Sequence, residues 1–366
     1  MKISCSHVLV RRLVTSSIIL IAIPSMLRAQ HYKQTNLVSN VPGAAAATDS
    51  NLVNAWGISR GTGTPWWVSD NGTGLTTLYS GPGSTIPLVV TIPAADSGMG
   101  TPTGQIYNGS QDFQLTKGNP ALFLFVTEDG TVSGWNSAVS ATTAVIKVNT
   151  HSKSVFKGMA VATINDPYSG PTNYLYVADF RKGRVRVYDT YFHRVSTGNE
   201  GFRDDRVPHG FAPFNVQNIG GDLYVAWAKQ DGSRHDEVDG AGLGFVSVSP
   251  TGRLLHRLQW GKWFNAPWGF AQAPSDFGTY SHDILVGQFG SGQILVFDPV
   301  TGDFLGRLLD SNNMPIKIDG LWGINFGSGS TSGPATTLYF AAGINDEQDG
   351  LFGAITAVEN TFGGDH

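Results

Sequence analysis

The segment 265–310 reads NAPWGFAQAPSDFGTYSHDILVGQFGSGQILVFDPVTGDFLGRLLD and decides the fold. It contains four short apolar stretches, WGFAQA, DILVGQF, QILVFD and DFLGRLL, separated by turn residues. Runs of about four to eight β-forming residues bounded by Gly, Pro, Asp and Ser predict strands, and the tight GSG and PVTG links predict hairpins. The segment is therefore predicted to be a four-stranded antiparallel meander. One meander cannot bury both of its faces alone, so it requires further copies of itself.

The chain contains six segments of this kind. Their first strands read NAWGIS, TPTGQI, VFKGMAV, APFNVQ, NAPWGF and DGLWGI, with anchor residues at Gly57, Gly104, Gly158, Asn215, Gly269 and Gly323. Successive anchors lie 47 to 57 residues apart, and second strands such as WWVSDN, LYVADF and LYFAAG follow them. A period of this size with four strands per repeat is typical of propeller blades. The sequence therefore predicts an all-β fold, a single six-bladed β-propeller.

The last blade needs a strand from the other end of the chain. The sixth copy ends near Glu359 without a fourth strand, and an unassigned strand, Tyr32 to Ser39, precedes the first copy. A ring of blades closes well when its first segment pairs onto its last blade, because closure removes the exposed edges. We therefore expect Tyr32 to Ser39 to be the outer strand of blade six. The propeller is predicted to span 30–359, with a frayed polar tail at 360–366.

The N-terminus predicts export. Lys2, Arg11 and Arg12 precede the apolar run LVTSSIILIAI, and Ala29 offers a small residue for cleavage. The run is shorter than the roughly 20 residues that span a bilayer, which favours a signal peptide at 1–29 over a membrane anchor. The protein is then secreted or periplasmic. The single cysteine, Cys5, lies in this segment, so the mature chain is predicted to have no disulfide and no cysteine metal site.

The composition excludes several classes of partner. Without the predicted presequence, the remaining 20 basic and 28 acidic residues give a charge of −8 with His neutral. Such a charge argues against nucleic acid and anionic membranes. A hydrophobic content of 41% with nine Trp and 20 Phe is enough to bury a large core. We expect a monomer without membrane insertion that binds a small molecule or a cell-envelope ligand.

Two sets of loops are expected to meet at one end of the central channel. In a propeller blade, the loop that enters the inner strand and the loop between the second and third strands emerge on the same face. Asn and Asp recur in the first set, and a ring of oxygen ligands suits Ca²⁺, which takes about six to eight of them. The sequence therefore predicts a calcium site at Asn54, Asn215, Asn265 and Asp319. Lys157 counts against a metal, because its charge can neutralise the carboxylates instead.

The second set of loops supplies further candidates, including a longer loop in blade four that reads KQDGSRHDEVDGAG. The predicted ligand-binding residues are Asp70, Glu128, Asp179, Lys229, Asp231 and Gln288. His235 is the predicted catalytic base, which would move a proton beside a cation that polarises a carbonyl or phosphoryl oxygen.

Structural alternatives stand beside these predictions. Asn and Asp also populate turns because their side chains bond nearby backbone groups. The blade-four loop does not fit the EF-hand pattern and also suits a solvated acidic loop. Trp56, Trp268 and Trp322 recur at one position of their blades, which indicates packing between blades in preference to an aromatic binding floor.

The chain contains the motifs NLVSNVPG, NAWGISR, PWWVSDNGTG, FVTEDGTVSGWN, APFNVQNIGG, LYVAWAKQD, NAPWG and IDGLWG. These motifs resemble a family of exported bacterial conserved-hypothetical proteins, some of which carry a C-terminal sorting tail. This resemblance implies a six-bladed propeller and export, without an established activity. More distantly, the chain is similar to NHL-repeat proteins and to gluconolactonase-like propellers, an analogy at the level of fold. Two functions remain open. One is a channel-mouth ligand site that supports cation-assisted hydrolysis of an ester or lactone, and the other is a non-catalytic interaction or glycan-binding platform of the cell envelope.

Overall fold

The structure, a computed structural model, describes residues 31–166, 170–196, 202, 206–250 and 254–358. Within these ranges almost all regular structure is β-strand, arranged as six sheets around one channel, and the predicted six-bladed β-propeller is confirmed. The predicted signal peptide and the predicted frayed tail lie outside the described residues. In the same ranges the helical content is one 3₁₀ turn, Gly278–Tyr280, so no helix there has the length and apolarity needed to cross a bilayer.

Each blade is an antiparallel sheet numbered from the channel outwards. The strands of blades one to three are Ala55–Ser59, Trp66–Asp70, Leu75–Tyr79 and Thr85–Thr91; Pro102–Tyr107, Phe123–Thr127, Thr131–Trp135 and Val145–Asn149; and Phe156–Asp166, Gly170–Asp179, Arg184–Tyr188 and Arg194–Val195. Those of blades four to six are Phe211–Ile219, Asp222–Lys229, Gly244–Ser249 and His256–Arg257; Pro267–Gln272, Ile284–Gln288, Ile294–Phe297 and Phe304–Arg307; and Leu321–Phe326, Leu338–Ile344, Asp349–Ala357 and Tyr32–Ser39. A small hairpin, Gln114–Thr116 with Asn119–Pro120, extends from blade two.

The N-terminal strand closes the ring as predicted. Tyr32–Ser39 pairs antiparallel with Asp349–Ala357, with Tyr32 opposite Ala357, and Ala47–Thr48 adds a short parallel fifth strand. The Tyr32 side chain is 1% exposed, and its hydroxyl donates to the Phe277 carbonyl of blade five at 3.0 Å. Because this residue bridges two blades, the closing strand contributes core packing as well as edge pairing.

One backbone hydrogen bond recurs at the channel mouth. In blades one to five, the residue that follows the second strand donates its N–H to a carbonyl at the entry of the inner strand. The pairs are Asn71 to Asn54, Glu128 to Thr101, Phe180 to Val155, Gln230 to Gly210 and Phe289 to Ala266, at 2.8 to 3.1 Å. This bond ties the two sets of loops together at the same end of these five blades, and in blade six the Asn345 N–H donates to the Asp319 side chain instead. The expected convergence of the loops around one mouth is confirmed.

The anchor residues bring the inner strands into close contact. A Cβ atom on Gly57 would lie 2.5 Å from the Thr103 carbonyl of the next blade, and one on Gly104 would lie 2.8 Å from the Gly158 Cα. Only glycine fits such an approach. Blade four departs from this rule, because Asn215 stands in the ring and the absence of a side chain on Gly158 leaves room for it.

The residues immediately before the anchors form a layer across the channel, which we call the channel tier. Its members are Trp56, Thr103, Lys157, Phe214, Trp268 and Trp322. The Trp56 and Trp322 rings stack with centroids 3.5 Å apart, and Trp268 meets both edge-on at 6.2 and 5.8 Å. The three indole side chains are at most 4% exposed, which agrees with packing as their main role. On the far side of the tier lies a cavity of about 300 Å³.

Candidate functional site

Lys157 is the charged member of the channel tier. Its side chain is 1% exposed, and its Nζ lies 2.6 Å from Glu128 Oε1 and 3.3 Å from Asp236 Oδ1. The ammonium also lies 4.8 Å from the centre of the Trp56 ring and 6.0 Å from that of Phe180, within cation–π range. A buried charge is tolerated only when it is paired and hydrogen-bonded. Here blades one and two, blade three itself and the blade-four loop all contribute to that pairing.

A continuous chain of hydrogen bonds leads from the tier to the mouth. Trp56 Nε1 donates to Asn54 Oδ1 at 2.9 Å, and Asn54 Nδ2 donates to Asn71 Oδ1 at 3.3 Å. Asn71 Nδ2 then donates to Glu128 Oε2 at 2.9 Å, while Lys157 donates to the other oxygen of that carboxylate. Both oxygens of Glu128 are therefore held, and the orientations of the two amides are fixed by their partners.

The blade-four loop lies over this cluster. Asp231 shapes its turn, since Oδ1 accepts the His235 N–H at 2.9 Å and Oδ2 accepts the Ser233 hydroxyl at 2.6 Å. The Gly240 N–H donates to Asn265 Oδ1 of blade five at 2.7 Å, which fixes the far end of the loop. The loop is thus attached rather than freely solvated, and it carries three acid–base residues, His235, Asp236 and Glu237, to the mouth.

His235 and Asp236 form a dyad. His235 Nδ1 lies 2.8 Å from Asp236 Oδ1, the same oxygen that faces Lys157. The hydrogen bond with Asp236 raises the pKa of His235, and the same bond lowers the pKa of Asp236 to about 2, with Lys157 adding to the effect. An Nδ1–H that points at a carboxylate leaves Nε2 as the basic nitrogen, so the tautomer suited to a general base follows from this contact.

The mouth holds more negative than positive charge. Glu128, Asp236 and Glu237 all attract Lys157 strongly enough that its pKa is raised, although burial alone would lower it. Burial, with repulsion from Glu347 and Asp239, raises the pKa of Glu237 to about 8 despite the opposing pull of Lys157. The pKa of Glu347 is also raised by burial, and its Oε1 is buried without a hydrogen-bond partner in the described part of the chain. These carboxylates lack enough cationic partners.

Each of the four predicted calcium ligands has an oxygen that already accepts a hydrogen bond from the protein. The pairs are Asn54 Oδ1 with Trp56 Nε1, Asn215 Oδ1 with Val216 N, Asn265 Oδ1 with Gly240 N, and Asp319 Oδ2 with Asn345 N, at 2.7 to 2.9 Å. Asn215 also lines the cavity on the far side of the tier. Calcium at these four residues stays a prediction. A second group at the mouth, Glu128, His235 and Asp236, has ligand atoms that all lie within 4.8 Å of one another.

The predicted ligand-binding residues fall into two sets. Asp70, Asp179 and Gln288 end the second strands of their blades and are fully buried. Asp179 Oδ2 accepts Arg186 Nε at 2.5 Å, and Gln288 Oε1 accepts the Asn265 N–H at 2.9 Å, contacts that hold turns together. Burial raises the pKa of Asp70, whose Oδ1 accepts the Thr77 hydroxyl at 3.2 Å.

The remaining predicted residues lie at the mouth or its rim. Glu128 and the predicted base, His235, approach each other around Lys157 and Asp236. Lys229 and Asp231 line a separate depression beside the mouth. Asp236, Glu237 and Glu347 were not among the predicted site residues, although Asp236 and Glu237 lie in the blade-four loop that the sequence analysis singled out. Lys157 was placed with the loop residues, but Lys157–Gly158 corresponds to Trp56–Gly57. Matching Lys-Gly to Trp-Gly would have placed it in the channel tier.

The fold and the mouth define this protein as a six-bladed β-propeller with an acid–base cluster beside a buried lysine. No family model matches the chain. It is 31% identical over 338 residues to "Uncharacterized protein R648" of Acanthamoeba polyphaga mimivirus, covering 88% of this chain and 80% of that protein. It is 32% identical over 340 residues to "Uncharacterized protein L690" of the same virus, covering 88% and 85%. The chain belongs to the family of these two proteins. Membership in an exported bacterial family stays a prediction.

Solved structures agree on the fold. The soluble aldose sugar dehydrogenase of Escherichia coli matches with a TM-score of 0.53 and 12% identity, covering 89% of this chain and 100% of that one. A glucose dehydrogenase matches with a TM-score of 0.55 and 10% identity, over the same shares of the two chains. At such low identity the likeness is one of architecture, and function must be argued from the residues of the site.

Proposed function

We propose that the channel mouth binds a divalent cation, calcium by preference, and uses it to hydrolyse a small ester or lactone. The observation that carries the proposal is the grouping of Glu128, His235 and Asp236, whose ligand atoms lie within 4.8 Å of one another. The raised pKa values of Glu237 and Glu347 support it, because burial and repulsion from neighbouring carboxylates raise them and a cation would offset both. Carboxylate oxygens are the ligands that calcium prefers.

The residues divide the work as follows. The oxygens of Glu128 and Asp236 hold the cation, which polarises the carbonyl of the substrate. His235 takes a proton from the attacking water through Nε2, while Asp236 orients the ring. Lys157 remains an ammonium and positions both carboxylates. The protonated His235 then returns that proton to the leaving alkoxide.

Calcium titration by calorimetry and thermal melts with and without chelator test the cation. Glu128→Gln and Asp236→Asn should each weaken calcium binding about tenfold or more, because each removes a charged ligand. Asp319→Ala should have no effect if the cation lies at Glu128 and Asp236. The opposite pattern would move the site to the ring predicted from the sequence. Absence of binding with an unchanged melt would overturn the proposal.

A panel of esters and lactones, assayed with and without calcium, tests the chemistry. His235→Gln should retain calcium binding and lose hydrolysis by about 10²-fold to 10⁴-fold, the usual contribution of a general base. If hydrolysis survives this substitution, His235 is not the base. If the wild-type protein binds calcium and hydrolyses none of the panel, the mouth is a ligand site without this activity.

The second candidate is the non-catalytic platform, and exposed apolar side chains support it. Trp260, Val300 and Leu305 are 59%, 85% and 46% exposed. Gln259 ties their segments together, since its N–H donates to the Gly302 carbonyl at 2.7 Å and its Oε1 accepts the Phe304 N–H at 2.8 Å. A glycan array with wild-type protein and Trp260→Ala tests this face. Binding that persists unchanged in the variant would argue against it.

A further inference from the structure

A basic depression lies on the mouth face between blades three and four, and we call it the rim pocket. It measures about 330 Å³. Its walls are the blade-three turn after the second strand, the entry of the blade-four inner strand and the start of the blade-four loop. The lining residues that bear charge are Arg181, Lys182, Lys229, Arg234 and Asp231, with His209 beside them.

The blade-three wall is a fixed turn. Asp179 Oδ1 accepts the Lys182 N–H at 3.2 Å, and Gly183 N–H donates to the Phe180 carbonyl at 3.1 Å. The other oxygen of Asp179 is held by Arg186. Arg181 donates from Nη1 to the Ser152 carbonyl at 3.0 Å, which leaves its other N–H groups for a ligand. The turn therefore presents two cationic side chains from a backbone that is already ordered.

The blade-four wall also requires a particular backbone. Gly210 adopts a φ of +82°, and a Cβ atom there would lie 2.6 Å from Lys229 Nζ. Glycine at this position therefore makes room for the ammonium, which donates to the His209 carbonyl at 3.2 Å. Arg234 adopts a φ of +57°, a conformation uncommon for a residue with a side chain, at the tip of the turn that Asp231 holds. Both cations are thus placed by local backbone geometry.

The charge of the rim pocket is opposite to that of the whole chain. Four cationic side chains face one carboxylate in a protein whose net charge is −4. The oxygens of Asp231 accept hydrogen bonds within the loop, which lower the pKa of this carboxyl against the effect of burial. None of the four cations forms an ion pair with a carboxylate among the residues that the structure describes. A cluster of cations without such ion pairs favours an external anion.

We propose that the rim pocket binds a tetrahedral oxyanion, the phosphate or sulfate group of a small ligand. Two guanidinium groups and two ammonium groups offer several charge-assisted donors, and guanidinium matches the oxygens of such groups with paired N–H bonds. Arg234 and His235 are neighbours in one loop, so an anionic group in the rim pocket would lie beside the channel mouth. The inference stands apart from the proposed cation and hydrolysis, because it uses none of the mouth carboxylates.

The test uses sulfate and inorganic phosphate as probes with the full mature chain. Either anion should raise the melting temperature above that in sodium chloride of matched ionic strength, and acetate should not. Inorganic phosphate loses its second proton across neutral pH whereas sulfate keeps its charge, so phosphate affinity should rise with pH relative to sulfate affinity. This pH contrast distinguishes the two anions, and the calcium titration is independent of it.

Lys182→Gln and Arg234→Gln should each weaken sulfate binding about tenfold, since each removes a charge-assisted contact. The matched control is Arg184→Gln, an exposed cation of the same turn that does not line the rim pocket. It should bind sulfate as the wild type does. Equal weakening in all three variants would show general charge screening, and the absence of any oxyanion-specific shift would likewise overturn the proposal.

Discussion

Blade three and blade six fill the same position of the channel tier with opposite chemistry. Blade six places Trp322 there, fully buried against Trp56 at 3.5 Å and Phe289 at 4.1 Å. Blade three places Lys157 there, equally buried, against two carboxylates. The indole is stabilised by contact area, whereas the ammonium is stabilised by carboxylates from two other blades. The break in the repeat therefore marks the position around which the site is built.

Lys157 and Trp322 also lie on opposite sides of the channel, in blades three and six. Lys157 faces Glu128 of blade two on one side and Asp236 of blade four on the other, so the polar half of the tier is the half near blades two to four. Trp268 and Trp322 occupy the half near blades five and six. A ligand that enters the mouth would meet charge on one side and aromatic packing beneath it. This asymmetry gives the channel an orienting surface that six identical blades would lack.

The largest effect is expected on the aromatic side. Trp322→Ala should lower the free energy of unfolding by about 4 kcal/mol, because the cavity left by a fully buried indole cannot collapse between rigid sheets. Denaturant unfolding measures it. The control is Trp260→Ala, which removes an indole that is 59% exposed and should cost less than about 0.5 kcal/mol. Similar costs for the two variants would mean that the tier does not stabilise the ring.

On the charged side, Lys157→Met should cost about 3 kcal/mol, because it leaves Glu128 buried without its cation. Adding Glu128→Gln should recover at least half of that loss, since the amide needs no counter-charge. The same addition to Trp322→Ala should recover nothing. Additive costs in the Lys157 and Glu128 pair would contradict the coupling that the distance of 2.6 Å implies.

The fold could be predicted because every blade carries its own local signals. Alternating apolar residues and turn residues define the strands, and the unassigned strand Tyr32–Ser39 could only complete blade six. The site could be predicted less well from the sequence, since it depends on which residues of different blades face one another. Blade four shows the difficulty. Its second strand, Asp222–Lys229, extends three residues beyond the LYVA motif, whereas that of blade three extends one residue beyond it, so the mouth and the anchor ring give different alignments.

The individual site residues show the same limit. Glu128 and His235 were selected as polar loop residues, but their meeting at Lys157 depends on blade geometry that no local pattern records. Asn54 and Asn265 were selected for their oxygens, and the structure uses those oxygens to hold Trp56 and Gly240. A sequence shows which side chains can accept a hydrogen bond. It does not show which neighbouring group donates that hydrogen bond in the folded protein.

Measuring the free energy of unfolding at several pH values tests the charged side of the tier separately from its aromatic side. Glu237 has a folded pKa of about 8 and an ordinary value of 4.5, so the folded state holds its proton longer than the unfolded state. Stability from this group is complete below pH 4.5 and is lost as the pH rises through 8. The shift corresponds to about 5 kcal/mol, which solvent screening at this partly exposed side chain reduces to on the order of 2 kcal/mol. Glu237→Gln should therefore match the wild type near pH 5 and exceed its stability near pH 9.

The matched control for this titration is Asp319→Asn, which changes an exposed carboxyl at the same mouth and leaves Glu237 and its neighbours in place. Denaturant unfolding at several pH values measures both variants. If the stability of Glu237→Gln varied with pH in parallel with that of the wild type, Glu237 would ionise normally. The excess of negative charge at the mouth would then be smaller than its geometry indicates.

Within the tier, the smallest loss of stability is expected at Thr103, because it is the neutral polar member. Its hydroxyl faces the Phe156 carbonyl at 2.8 Å and the Val126 carbonyl at 3.2 Å, and its side chain is fully buried. Thr103→Val keeps the shape and removes the donor, which should cost about 1 kcal/mol. The cost should be independent of pH, since no charge is involved, whereas that of Lys157→Met should vary as Glu237 titrates. If the two costs varied alike with pH, the charged and neutral halves of the tier would have to be coupled through the backbone rather than through Lys157.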